Sequence, residues 1–170
     1  FDNRGERTIK QISLNGDLNE IASNVGGTTI GRPYISGGFH IANGTAAYTY
    51  GKPDRPADVG VAIKGKTKVL TQLNEDILGY RKLGKVNEII YNSSFDNEEI
   101  HGWYITPPNF DPTKKYPLIL EIHGGPHLAY GPHFSAELQM MAASGYIVFY
   151  NNYRGCLLYT SDAADEVDGV

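Results

Sequence analysis

Of the chain's 170 residues, 41% are hydrophobic and 11% aromatic, which supplies a packed core and excludes intrinsic disorder. The formal charge is −4, and basic residues cluster only as pairs such as Arg81-Lys82 and Lys114-Lys115, so no phosphate-tracking surface forms and nucleic acid is excluded as a partner. No apolar run reaches the length of about eighteen residues needed to cross a membrane, so no span is expected. The one cysteine, Cys156, leaves residues 1–155 without disulfide or thiol chemistry. No signal peptide is visible, and Phe1 in the place of an initiating Met reads as a start inside a longer product. Location is left open, with the cytoplasm preferred.

Residues 12–21 read as two short strands around a turn at Gly16, and residues 61–70 repeat the form around Gly65, 49 residues on. Leu14 matches Ile63 in this alignment, and Ile21 matches Leu70. Between them, residues 39–42 and 46–50 are strands joined by Asn43-Gly44. Short strands at this period are expected of β-propeller blades, with an ordinary antiparallel meander as the alternative. Asp54-Arg55-Pro56 reads as a polar strand connection, and Lys64, Lys66 and Lys68 as the solvated side of a strand. Residues 73–85 leave the last blade as a turn or short helix, which puts a domain boundary around residues 72–87.

From Val86 the pattern changes. Residues 88–93 and 99–105 form an antiparallel pair around the Asp96-Asn97 turn, and Pro107 and Pro108 stop it by fixing φ and removing donors. Residues 118–122 are too apolar for a half-exposed strand and are expected in the buried middle of a sheet. Phe134, Leu138, Met141 and Ala142 recur at helical spacing, with Met140 and Met141 as core filler. Gly145 can end that helix in a left-handed cap, and residues 146–150 form a second buried strand. Strand, helix and strand in this order make the crossover unit of an α/β sheet.

His123-Gly124-Gly125-Pro126 follows the first buried strand directly. Two glycines permit a tight turn with an exposed amide, and a fixed N–H there stabilises the negative charge that grows on a carbonyl oxygen during acyl transfer. Five scattered histidines show no metal-ligand spacing. His40 and His101 are expected to be structural, and His127 and His133 to lie on loops or the surface.

The chain resembles the prolyl oligopeptidase family of serine peptidases, in its acylaminoacyl-peptidase-like branch. The resemblance rests on residues 116–127, on Tyr130-Gly131-Pro132, and on Phe134, Glu137 and Gln139. It extends through Gly145-Tyr146 and Asn152-Tyr153-Arg154-Gly155, with Glu99-Ile100-His101-Gly102-Trp103 and Leu70-Thr71-Gln72-Leu73-Asn74 before them. It implies C-terminal blades of a β-propeller over residues 1–85. The N-terminal part of an α/β-hydrolase peptidase domain follows over residues 86–155, a mixed β and α/β architecture that is incomplete.

Gly125 would then supply an oxyanion-hole amide, with His123, Gly124 and Pro126 shaping the loop and His127, Tyr153 and Arg154 near the substrate. His123 is not expected to be the general base, which the family places near its C-terminus. No Gly-x-Ser-x-Gly elbow occurs in the sequence. The catalytic Ser, Asp and His are expected beyond a truncation, in a parent that hydrolyses short peptides through an acyl-enzyme without cofactor or metal. The 170-residue chain is expected to be inactive. A carboxylesterase and a noncatalytic propeller-containing binding protein are the alternatives, and the oligomeric state is open. Where the family continues with Ser after Arg154-Gly155, this chain has Cys156-Leu157-Leu158. Residues 156–170 resemble the translation of a transposase-end sequencing adapter, so natural sequence is expected to stop at Gly155.

Overall fold

A computed structural model describes residues 1–124 and 128–153. The adapter-like stretch 156–170 lies outside the described residues.

The first region is built from strands. β1 (Asp2–Asn3) and β2 (Glu6–Arg7) form a ribbon, and β3 (Ile9–Ile12) pairs with β4 (Leu18–Ala22) as a hairpin. β5 (Phe39–Ala42), β6 (Thr45–Lys52), β7 (Arg55–Ile63) and β8 (Lys66–Val69) then make a four-stranded antiparallel sheet in sequence order. The expected turns sit where expected. Gly16, Gly44 and Gly65 all take positive φ, the conformation that costs glycine least.

Along β6 the side chains alternate, burying Ala46 and Tyr48 on one face. Tyr48 lies opposite Gly60 of β7, and a Cβ at that glycine would come within 2.7 Å of the Tyr48 ring. Gly60 is therefore the space that the tyrosine fills. Arg55 and Pro56, expected in a connection, instead begin β7. Arg55 pairs with Lys52 across the turn, where the register shifts at a bulge, and such a bulge tolerates the missing N–H of Pro56.

α1 (Glu75–Leu78) leads to the second region. There β9 (Val86–Asn92), β10 (Glu99–Ile105), β11 (Leu118–Glu121) and β12 (Ile147–Asn151) form one sheet in the order β11-β12-β10-β9. β10 runs antiparallel to both of its neighbours, β9 and β12, while β11 and β12 run parallel and are joined through α2 (Ala136–Ala143). Ser135 caps α2 by accepting the Leu138 amide at 3.2 Å, and Gly145 has φ +96° just past the helix end. The core joins both faces of this unit, with Trp103, Ile105, Val148 and Tyr150 from the sheet, Leu138 and Ala142 from α2, and Tyr130 from the loop between.

The structure differs from three further expectations. Among the described residues β11 is the outermost strand of the sheet and its apolar side chains are uncovered, with Leu118 64%, Leu120 54% and Ile122 63% exposed. β12 inserts between β11 and β10, so β11 has one partner strand among the described residues, and its even-numbered side chains share an open face. Met140 points to solvent because the buried stripe of α2 runs through Leu138, Gln139 and Ala142, and only Met141 packs on the core. His133 lies on a loop, as expected, but is buried there and not at the surface. Its Nε2 lies 3.1 Å from the Gly5 carbonyl, where the first region closes on the second.

Candidate functional site

The carboxyl ends of β11 and β12 lie side by side, and the chain leaves β11 through Ile122, His123 and Gly124. In open α/β sheets such ends border the crevice where ligands bind. His123 is 3% exposed. Its ring stacks on Tyr153 at 4.6 Å and meets Tyr130 edge-on at 4.8 Å. Tyr153 also donates its hydroxyl to the His123 carbonyl at 3.0 Å. Burial holds the imidazole below its ordinary pKa, against smaller opposing effects from the Gly124 backbone and Asn152. A neutral ring enclosed by tyrosines is a packed plate that shapes the loop.

Asn152 completes the frame. Its side chain accepts the Tyr130 amide at 2.7 Å and donates to the Tyr130 carbonyl at 2.9 Å, replacing a strand partner for that residue. Its own amide donates to the His101 carbonyl at 3.0 Å, tying the loop to β10 as well. With no exposure at all, Asn152 must satisfy these groups internally, since an unpaired buried amide costs about 1–3 kcal/mol. Burial also raises the Tyr130 phenol, which stays protonated and donates to Glu121 at 3.1 Å. Glu121 and Glu137 both pair with Arg32, the second at 3.3 Å.

The structure thus brings His123, Gly124 and Tyr153 together. Gly124 is exposed, and a Cβ there would meet nothing within 4 Å, which leaves its backbone open to approach. Gly125, Pro126, His127 and Arg154 lie outside the described residues. His101 serves structure through an imidazole nitrogen 2.8 Å from Glu99, while His40 is exposed on β5. Among the described residues no group of three His, Cys, Asp or Glu could hold a metal, and no helix is long and apolar enough to cross a membrane.

Sequence reasoning missed Asn152, Tyr130, Glu121 and Arg32 as parts of this frame. The one available signal was Asn152, the second of two asparagines that close the apolar run of β12. Arg32 carried none, because its partners are about ninety and a hundred residues away.

No family model matches the chain. An uncharacterized peptidase of Bacillus subtilis, YuxL, is 36% identical over 119 residues, which is 69% of this chain and 18% of that protein. A probable dipeptidyl-peptidase 5 of Aspergillus clavatus is 34% identical over 108 residues, 61% of this chain and 15% of that protein. Among solved structures, an acylaminoacyl peptidase of Pyrococcus horikoshii superposes with a TM-score of 0.70 at 31% identity, covering 89% of this chain and 23% of its own. The chain therefore spans about a fifth of the length of the relatives it matches. Agreement of sequence and fold across both kinds of relative leads to one conclusion: over this segment the chain is a homologue of peptidases, consistent with the prolyl oligopeptidase family.

Proposed function

We propose that the chain is part of a serine-type peptidase that hydrolyses short peptides through an acyl-enzyme. The observation that carries this reading is the parallel pair β11 and β12, joined through α2, with His123-Gly124 leaving the carboxyl end of β11. An α/β-hydrolase keeps one oxyanion donor in the loop after this strand and the other just past the nucleophile. Gly125 is the donor we assign here, with His123, Gly124 and Pro126 shaping the loop and His127, Tyr153 and Arg154 beside the substrate. Residues 86–155 then open the hydrolase domain. Residues 1–85 end a β-propeller, with β5 to β8 as one blade and the β3–β4 hairpin as part of its neighbour.

In the reaction a serine attacks the peptide carbonyl, a histidine takes its proton and returns it to the leaving amine, and water releases the acyl group. The Gly125 amide would stabilise the oxyanion in both halves. The sequence has no serine elbow, so the 170-residue chain by itself is inactive on this reading.

The test is the full-length protein carrying this segment, assayed with peptide p-nitroanilides and with a fluorophosphonate probe. Cleavage and labelling are expected from it, and neither from the 170-residue chain. Exchanging the Gly125 amide for an ester deletes the N–H and little else, and should lower kcat by roughly 10²–10³-fold. Absence of both labelling and peptide cleavage in the full-length protein would overturn the reading, and cleavage of esters alone would replace it with a carboxylesterase.

A further inference from the structure

Residues 29–36 belong to the strand-built region yet lie against the loop that follows β11. The Ile35 amide donates to the Ala129 carbonyl and the Gly131 amide to the Pro33 carbonyl, each at 2.9 Å, so the two bonds bracket the Tyr34–Tyr130 bridge. Further along, the Ser135 hydroxyl donates to the Gly31 carbonyl at 2.7 Å, which fixes the same segment to the start of α2. This is a strap laid across the second region.

Its side chains reach the frame of the site. Arg32 pairs with Glu121, the last residue of β11, and with Glu137 in the first turn of α2 at 3.3 Å. The Glu121 side chain is only 12% exposed and also accepts the Tyr130 hydroxyl. Removing Arg32 leaves that carboxylate with a phenol as its partner in a largely dry place. It then takes up a proton or turns outward, and either response weakens the bond it accepts from Tyr130. The Tyr34 ring lies 4.8 Å from Tyr130 and 6.4 Å from His123, edge-on to the latter. One strap therefore touches the strand that feeds the loop, the histidine at its start and the tyrosine after it.

We infer that Arg32 and Tyr34 are positioning residues: the strap holds His123-Gly124 and residues 128–131 in the geometry that hydrolysis requires. The catalytic half of this inference rests on the reading of the loop given above, while the hold of the strap on Tyr130 does not. A displacement of about 1 Å in a reacting group can cost on the order of 10²-fold in rate, so a modest relaxation of the frame is measurable.

The experiment uses Arg32→Met, Arg32→Lys and Tyr34→Leu, with Arg55→Met as the control. Arg55 pairs with Glu75 at 3.0 Å in the strand-built region, away from the loop. In the full-length protein, kcat for a peptide p-nitroanilide should fall roughly 10- to 100-fold in Arg32→Met and Tyr34→Leu, with KM within about threefold. Arg32→Lys keeps a cation between the two carboxylates and should recover most of the loss. In the 170-residue chain, hydrogen exchange is read at the Tyr130 amide, which donates to Asn152 and not to the strap. It should quicken in Arg32→Met and stay unchanged in Arg55→Met.

Unchanged kcat in both strap variants, a rise in KM alone, or an equal loss in Arg55→Met overturns the positioning role. If the unmodified full-length protein cleaves no peptide, the reading of the loop has failed. The exchange measurement then decides alone, with faster Tyr130 exchange supporting the strap and unchanged exchange overturning it.

Discussion

The strand-built region packs Ala22, Ala46 and Ala62 with Ile9, Val25 and Tyr48, whereas the α/β region closes around Trp103, Tyr130 and Tyr150 with Leu138 and Val148. Small side chains let sheets approach closely but give each residue little apolar area, so stability is spread over backbone pairing. Large rings concentrate burial in a few positions and leave polar handles, and those handles organise the site. Tyr130 shows both at once, with its ring in the core and its hydroxyl on Glu121. The region that holds the candidate site therefore depends on single side chains, and the other does not.

Substitution in the two cores tests that contrast most strongly. Trp103 is 1% exposed and stacks on Tyr150 at 5.6 Å. Trp103→Ala should lower the unfolding free energy by about 3–5 kcal/mol in urea titrations, against about 1 kcal/mol for Ala46→Gly in β6. Equal losses would break the comparison.

The amide clamps come next. Asn152→Leu strands the Tyr130 amide and carbonyl, and Gln139→Leu does the same to Gly84, whose backbone the Gln139 side chain grips at 2.8 and 3.0 Å. Each group left unpaired should cost about 1–3 kcal/mol by denaturant titration. A loss below that range in Asn152→Leu would show that water reaches Tyr130.

A pH series sharpens the boundary between the regions. His133 sits against Gly5 and Gly26, and burial is the main reason its pKa lies below the ordinary 6.5, with Arg7 lowering and the Gly5 carbonyl and Asp2 raising it. The unfolded chain then binds the proton more readily than the folded one. Stability from the neutral ring is complete above about 6.5 and is lost as pH falls below that value towards the folded pKa. His123, also lowered by burial, adds a slope of the same sign. Urea midpoints should fall from pH 7 to pH 5, and less steeply in His133→Gln; identical slopes would remove His133 from the account. The smallest effect belongs to Arg55→Met, whose partly exposed pair with Glu75 should contribute under about 1 kcal/mol in the same titration.

How much was legible follows from how far each interaction reaches. The hairpin turns at Gly16, Asn43-Gly44 and Gly65, the stop at Pro107-Pro108 and the helix end at Gly145 are decided by φ preferences of a few neighbouring residues, and all were readable. Met140 was misjudged because two adjacent methionines look alike by composition, while only one can face the core of a helix. His133 was placed on a loop, but its burial there was not legible because it depends on Gly5 and Gly26, more than a hundred residues earlier.

By itself the amino-acid sequence determined most of the longer strands, the crossover helix and the His123-Gly124 exit from β11, since periodicity and turn chemistry are local properties of the chain. Only the tertiary structure decided that β12 inserts between β11 and β10, that Asn152 and Tyr130 clasp each other, and that Arg32 reaches Glu121. Those outcomes depend on which distant segments are brought together, and a buried carboxylate or amide takes whatever partner the completed packing places beside it.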